Sequence, residues 1–118
     1  MDKIDIARTC HNANKALCEA YGDHSHVDFD SAPPWQKKAV MDGVEFHLSG
    51  DHSPEEGHAN WIKFKEQDGW TYGPTKDREK KTHPCMVPYE KLPTMEKAKD
   101  VIMASVVKSL QPQLTEAS

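Results

Sequence analysis

The amino-acid sequence predicts a mainly α protein of the α+β class, with about four helices and two short strands. Three observations carry this. Apolar residues recur at steps of three and four in separate stretches, Ser53-Pro54 with Glu56 makes a helix-start signal, and an aromatic alternation of period two follows Gly69.

In the first stretch Ile6, Cys10, Ala13, Leu17 and Ala20 share one stripe of a helix that stops at Tyr21-Gly22-Asp23. His11, Asn14, Cys18 and Tyr21 follow the same spacing on the adjoining flank, which sets hydrogen-bonding groups beside the apolar seam. Residues 22–34 are rich in Asp, His, Ser and Pro and read as a loop, with Asp30 or Ser31 available to cap the next helix. That helix is expected to pack through Trp35, Ala39, Gly43 and Phe46, with Val40, Val44 and Leu48 alongside, until Ser49-Gly50-Asp51 ends it. Gly43 is expected to admit a neighbouring backbone. The third helix starts at the Ser53 cap and runs to about Gln67, with Asp68-Gly69 as its stop. Trp70-Thr71-Tyr72 and Cys85-Met86-Val87 read as the two short strands. Met95, Ala98, Ile102, Ser105, Val106 and Leu110 trace a last amphipathic helix.

The 118 residues suffice for a single domain over 1–118, with an ordered core at about 4–110 and a frayed tail at 111–118. Fifteen Lys+Arg against nineteen Asp+Glu give a net charge of −4, the wrong sign for a protein that lives on phosphate neutralisation along a nucleic-acid polymer. No apolar run is long enough for a membrane span and the first residues lack a secretory signal, so the cytoplasm is the expected location. Cys10, Cys18 and Cys85 show no knuckle or redox spacing and read as reduced, structural thiols. Asp23-His24-Ser25-His26 and Asp28-Phe29-Asp30 hold metal-ligand types, but their spacing supplies no third ligand on regular structure, and no metal site is expected. Nothing orders a Cys, a His and an acid into a nucleophilic site, and Cys85 between Pro84 and Met86 reads as inert, so no catalytic residues and no cofactor are expected.

Against the acidic background, Lys76-Asp77-Arg78-Glu79-Lys80-Lys81 carries four bases and two acids. A localised basic loop beside aromatic residues suits a small phosphorylated molecule: a flat apolar surface for its base, and cations for its phosphates. Trp61, Lys76, Arg78 and His83 supply those types. The Tyr72 hydroxyl is within reach of such a site, and His11, Asn14 and Tyr21 suit a base or ribose edge.

Asn60-Trp61, Trp70-Thr71-Tyr72-Gly73-Pro74, Lys76-Asp77, His83-Pro84-Cys85-Met86-Val87-Pro88-Tyr89 and Leu92-Pro93 together resemble the RyR domain, the repeat module first named from ryanodine receptors. His11-Asn12-Ala13-Asn14, Tyr21-Gly22-Asp23, Trp35-Gln36 and Gly43 to Leu48 look like the stand-alone branch of that family found in bacteria and their viruses. The resemblance implies a mainly helical module with a short antiparallel hairpin and no catalytic centre. In the receptors, paired repeats form a cleft for adenine nucleotides, and in prokaryotes the family is associated with nucleotide-based defence. Carried over by position, the stacking aromatic matches Trp61, the phosphate-side cation matches Lys76, and the HPC segment matches His83 and Cys85. Lysine in place of the receptor pattern's arginine keeps the charge and loses the planar fork.

The expected function is therefore non-catalytic binding of a nucleotide-derived small molecule, a cyclic oligonucleotide or an ADP-ribose-type signal. A symmetric homodimer would rebuild the paired cleft. The absence of an effector domain favours a phage sponge that sequesters an immune messenger. The alternatives are a sensor or protein-interaction module without turnover and, less favoured, a hydrolase of the nucleotide signal.

Overall fold

The structure, a computed structural model, describes residues 1–115 of the chain. It is mainly helical: α1 (Lys3–Ala20), α2 (Pro34–Leu48), α3 (Pro54–Gln67) and α4 (Thr94–Leu110), with two short strands, β1 (Thr71–Tyr72) and β2 (Thr82–His83), between α3 and α4. Short 3-10 turns at Phe29–Ser31, Tyr89–Lys91 and Gln111–Gln113 complete it. α4 packs against all three other helices, and α2 also touches α1 and α3. The core lies where α1, α2 and α4 meet: Ile6, Ala7, Cys10, Phe29, Val44 and Val107 are buried, with Val40, Met41, Leu48, Met103, Val106, Leu110 and Leu114 packed around them.

Helix α3 begins as its start signal requires. The Ser53 hydroxyl accepts the Glu56 N–H at 3.1 Å and the Glu56 carboxylate accepts the Ser53 N–H at 3.0 Å, closing a capping box ahead of Pro54. Helix α2 starts differently: Pro33 occupies the cap position, while Asp30 and Ser31 belong to the preceding 3-10 turn. The buried face of α2 is also turned from the expected one. Val44 and His47 are buried, and Trp35 remains 41% exposed, because the Trp35 side faces a cavity and not the core. Gly43 meets the Met103 side chain, not a backbone. The tight approach of α2 to α3 occurs at Gly57, where a Cβ would stand 2.7 Å from His47 Nε2.

On α1 the buried stripe takes in part of the polar flank: Ile6, Ala7, Cys10, His11 and Cys18 are buried. The loop after α1 explains this. His11 Nε2–H donates to the Val27 carbonyl at 2.7 Å and the Asn12 side-chain oxygen accepts the Phe29 N–H at 3.1 Å, lacing the loop over the helix. Phe29 then inserts its ring, 1% exposed, edge-on to His11 at 5.7 Å.

The two strands are parallel, not the antiparallel hairpin expected, with Thr71 opposite Thr82 and Tyr72 opposite His83. The intervening loop makes its own reversal: Asp77 and Thr82 exchange backbone hydrogen bonds at 3.0 Å as an antiparallel bridge, the Asp77 carboxylate accepts the N–H groups of Glu79 and Lys80, and Lys81 adopts φ 56°. That turn redirects the chain before β2, so β2 enters alongside β1 in the same direction. Cys85-Met86-Val87 is not a strand. Pro84 and Pro88 have no N–H to donate, and the Cys85 N–H is taken by His83 Nδ1 at 3.0 Å. At the C-terminal end, ordered packing passes the Leu110 boundary: Leu114 rests on the core and the Thr115 N–H donates to the Met1 carbonyl at 3.1 Å. Residues 116–118 of the expected tail lie outside the described residues.

Candidate ligand-binding site

A cavity of about 250 Å³ opens between the helices and the loop after β1. α1 contributes His11, Asn14, Lys15 and Cys18, α2 contributes Trp35, α3 contributes Trp61 and Lys65, the loop brings Lys76, β2 brings His83, and α4 brings Lys99 and Met103. Among the described residues four lysines line this cavity and no carboxylate does, in a chain whose net charge is −4. Two hollows of about 470 Å³ each adjoin it. One holds Trp35, Trp61, Lys65, Trp70 and Arg78 together with Asp42 and Asp68; the other holds Trp61, Lys76, His83, Cys85 and Lys99 together with Asp23, Glu96 and Asp100. Trp61 lines all three.

Local sequence explains this convergence. Trp61 and Lys65 are one turn apart on α3 and share a face. The Lys65 ammonium lies 4.5 Å from the Trp70 ring centre, 5.8 Å from that of Trp61 and 5.9 Å from that of Trp35. The Arg78 guanidinium sits 3.7 Å over the Trp35 ring. Trp61 itself is braced by His58, nearly parallel at 5.6 Å, and by His83, edge-on at 4.9 Å.

The cations differ in how far they are already satisfied. Lys15 pairs with Glu19 at 3.0 Å and Lys99 with Glu96 at 3.4 Å, whereas among the described residues Lys65 and Lys76 have no carboxylate within 4.0 Å. Burial, followed by the nearby charge of Lys76, holds the Lys65 pKa below its ordinary value. The same two causes, with Lys65 added, bring His83 down to about 4. His83 is therefore neutral at pH 7, and since its Nδ1 accepts the Cys85 N–H, its Nε2 carries the proton and is left to donate. The Asn14 side-chain oxygen is buried and, among the described residues, has no hydrogen-bond partner, an arrangement that costs about 1–3 kcal/mol unless a donor arrives from a ligand or water. Cys85 is pushed up to about 11, chiefly by burial, which keeps it a thiol.

Of the residues singled out from the sequence, Trp61, Lys76, His83, His11 and Asn14 line the one cavity. Cys85 and Arg78 lie in different adjoining hollows, both of which Trp61 also lines. Tyr21 and Tyr72 are 63% and 58% exposed and line none of the three. Lys65, Trp35, Lys15 and Lys99 were missed. Only the Trp61–Lys65 spacing offered a signal; Lys15 and Lys99 look like ordinary surface lysines until the helices are packed.

His83 makes a pH prediction in combination with Asp100, whose carboxyl is raised to about 7 by burial. Folded His83 refuses a proton that the unfolded chain accepts below about 6.5, so its contribution to stability is lost as pH falls from there towards 4. Asp100 acts oppositely, costing stability as pH rises from 3.8 towards 7. The two slopes offset each other, so Asp100→Asn is expected to make thermal stability fall more steeply than wild type between pH 6.5 and 4.5. A shallower fall in Asp100→Asn contradicts this.

The geometry defines a small four-helix module with a cationic, tryptophan-walled cavity. A family model for the RyR domain matches residues 45–112, more than half of the chain, and the protein belongs to the RyR-domain family. The match includes Trp61, Lys65, Lys76, His83 and Lys99, while the walls from α1 and from Trp35 precede it. Among the described residues no helix is long and apolar enough to cross a membrane.

Proposed function

We propose that the cavity binds one nucleotide-derived anion without turning it over, the base against Trp61 and Trp35 and the phosphates at Lys65 and Lys76. The observation that carries this is the lining: among the described residues four lysines, no carboxylate and two indoles, in an acidic protein. The unpartnered Asn14 oxygen suits an exocyclic amine of a base, and the neutral His83 suits a phosphate or ribose oxygen as a donor. At about 250 Å³ the central cavity is smaller than the roughly 300 Å³ at which ligand pockets begin, so a ligand larger than a mononucleotide extends past Trp61 into an adjoining hollow. That favours an ADP-ribose-type or cyclic oligonucleotide signal. Sequestration of such a signal needs no chemistry beyond this. A symmetric homodimer that brings a second Trp61 to the ligand would complete the cleft; a monomer by light scattering at saturating ligand would count against the dimer and leave the pocket itself standing.

Calorimetric titration with ADP, ADP-ribose and cyclic dinucleotides tests the reading. Saturable binding to at least one of them is expected, weakened by about 1–3 kcal/mol in Trp61→Ala, and the nucleotide released by heating should be chemically intact. Flat titrations across the panel would favour docking of another polypeptide, and recovery of a cleaved nucleotide would favour the hydrolase.

A further inference from the structure

The turn that ends α1 gathers three metal-ligating groups on the rim of the cavity. The Cys18 sulfur, a carboxylate oxygen of Asp23 and a ring nitrogen of His26 all lie within 4.8 Å of one another. Two of them stand in a loop that from sequence lacks a third ligand. The third is on the helix, and the chain reaches back to it because Gly22 takes φ +90° and the Asp23 N–H donates to the Cys18 carbonyl at 2.9 Å.

We propose that Cys18, Asp23 and His26 form a binding site for a zinc-class divalent cation, with the fourth coordination position open to water at the cavity rim. The proposal does not depend on the nucleotide reading.

The donor set is one thiol, one imidazole and one carboxylate, which suits zinc and its neighbours and not magnesium or calcium, whose ligands are oxygens. The carboxylate is already divided between two tasks. Its Oδ1 accepts both the N–H and the hydroxyl of Ser25, at 3.0 and 2.6 Å, while its Oδ2 faces His26 Nε2 at 3.2 Å. Tetrahedral zinc with these ligands needs donor atoms about 3.3–3.5 Å apart; the Asp23–His26 separation of 3.2 Å nearly fits, and all three donors already lie within 4.8 Å of one another. Ser25 then serves as the outer partner that fixes the carboxylate. The Lys99 ammonium stands beside Cys18, and Glu96 at 3.4 Å offsets part of its charge. Cys18 and His26 line the central cavity and Asp23 and His26 the adjoining hollow, so the remaining position has access to solvent.

The test uses the full chain, stripped with chelator and kept reduced, titrated with cobalt(II) and then zinc. The expected result is a visible tetrahedral cobalt spectrum with a sulfur-to-cobalt charge-transfer band, saturating at one equivalent and displaced by zinc. Cys18→Ser should abolish the charge-transfer band. Asp23→Asn and His26→Ala should each weaken zinc binding by roughly tenfold or more, while His24→Ala and Cys85→Ser leave it unchanged. A wild-type protein without a saturable cobalt spectrum, or a band that survives in folded Cys18→Ser, overturns the site. Should Cys18→Ser fail to fold by circular dichroism, the two loop variants decide alone: unchanged zinc affinity in both overturns it.

Discussion

Phe29→Ala is expected to cost about 3–5 kcal/mol of folding stability and to lower the thermal midpoint by more than about 10 °C. The ring is 1% exposed and belongs to the core formed with Ile6, Cys10, Val44 and Val107, so its removal leaves a cavity as well as a lost transfer energy. The neighbouring charges add to this: the Arg8 guanidinium and the Lys37 ammonium lie 5.8 and 5.7 Å from the ring centre. Phe29 is also the anchor of the loop that carries His26 and the His11 partner Val27. Ligand and metal binding should therefore weaken together with stability. Phe29→Leu, which keeps most of the volume, should recover much of both. Differential scanning calorimetry checks this, and a midpoint within about 3 °C of wild type for Phe29→Ala would contradict the assignment of the loop to the core.

The second large effect falls on binding. Lys65→Glu is expected to weaken the tightest nucleotide ligand by about 3 kcal/mol, roughly a hundredfold. Lys65 is half-buried among three indoles and, among the described residues, carries no carboxylate partner. At an effective dielectric constant near 20, a unit charge about 4 Å from a phosphate is worth about 4 kcal/mol, and reversing it turns attraction into repulsion; partial exposure reduces the figure. Lys65→Met separates charge from packing, because the stem against the rings is kept. It should lose less affinity than Lys65→Glu. Lys80→Glu, on the exposed part of the basic loop and outside the hollows, should change affinity little. Equal losses for Lys65→Glu and Lys80→Glu would mean that the whole basic loop acts as a diffuse field and not a built site.

Local signals carried the helices well. The capping box at Ser53 and the Gly69 stop rest on interactions within a few residues and survive packing, whereas the apolar periods placed α1 and α4 but not their buried faces: α4 buries Ala104 and Val107 and leaves Ser105 exposed, and α1 buries Ala7 and His11 and leaves Ala20 exposed. The strand pair was misread because its direction depends on the Asp77–Thr82 reversal, which is built from side-chain acceptance of backbone N–H groups and a left-handed Lys81 and has no periodicity to detect. The buried face of α2 was misread for a different reason. Trp35 shares its helical spacing with Ala39, Gly43 and Phe46, and that spacing suggested core, yet the ring walls a cavity and carries Arg78.

The site was legible where one short segment holds its chemistry. Trp61, Lys76 and His83 stand within the stretch whose motifs are dense. His11 and Asn14 were reachable from helical spacing, but the same spacing included Tyr21, which the end of α1 leaves in solvent. Lys15 and Lys99 enter the cavity from separate helices, a meeting that tertiary packing alone decides. The Cys18–Asp23–His26 cluster was hidden likewise, since its third ligand comes back through a glycine turn.

The most direct measurement is a crystal structure with the tightest-binding nucleotide of the calorimetric panel. The account predicts the base stacked on Trp61 or between Trp61 and Trp35, with phosphate oxygens about 3 Å from the Lys65 and Lys76 ammonium groups. A ligand held elsewhere on the surface, with the cavity lined by Trp61 and Lys65 left to solvent, would contradict it.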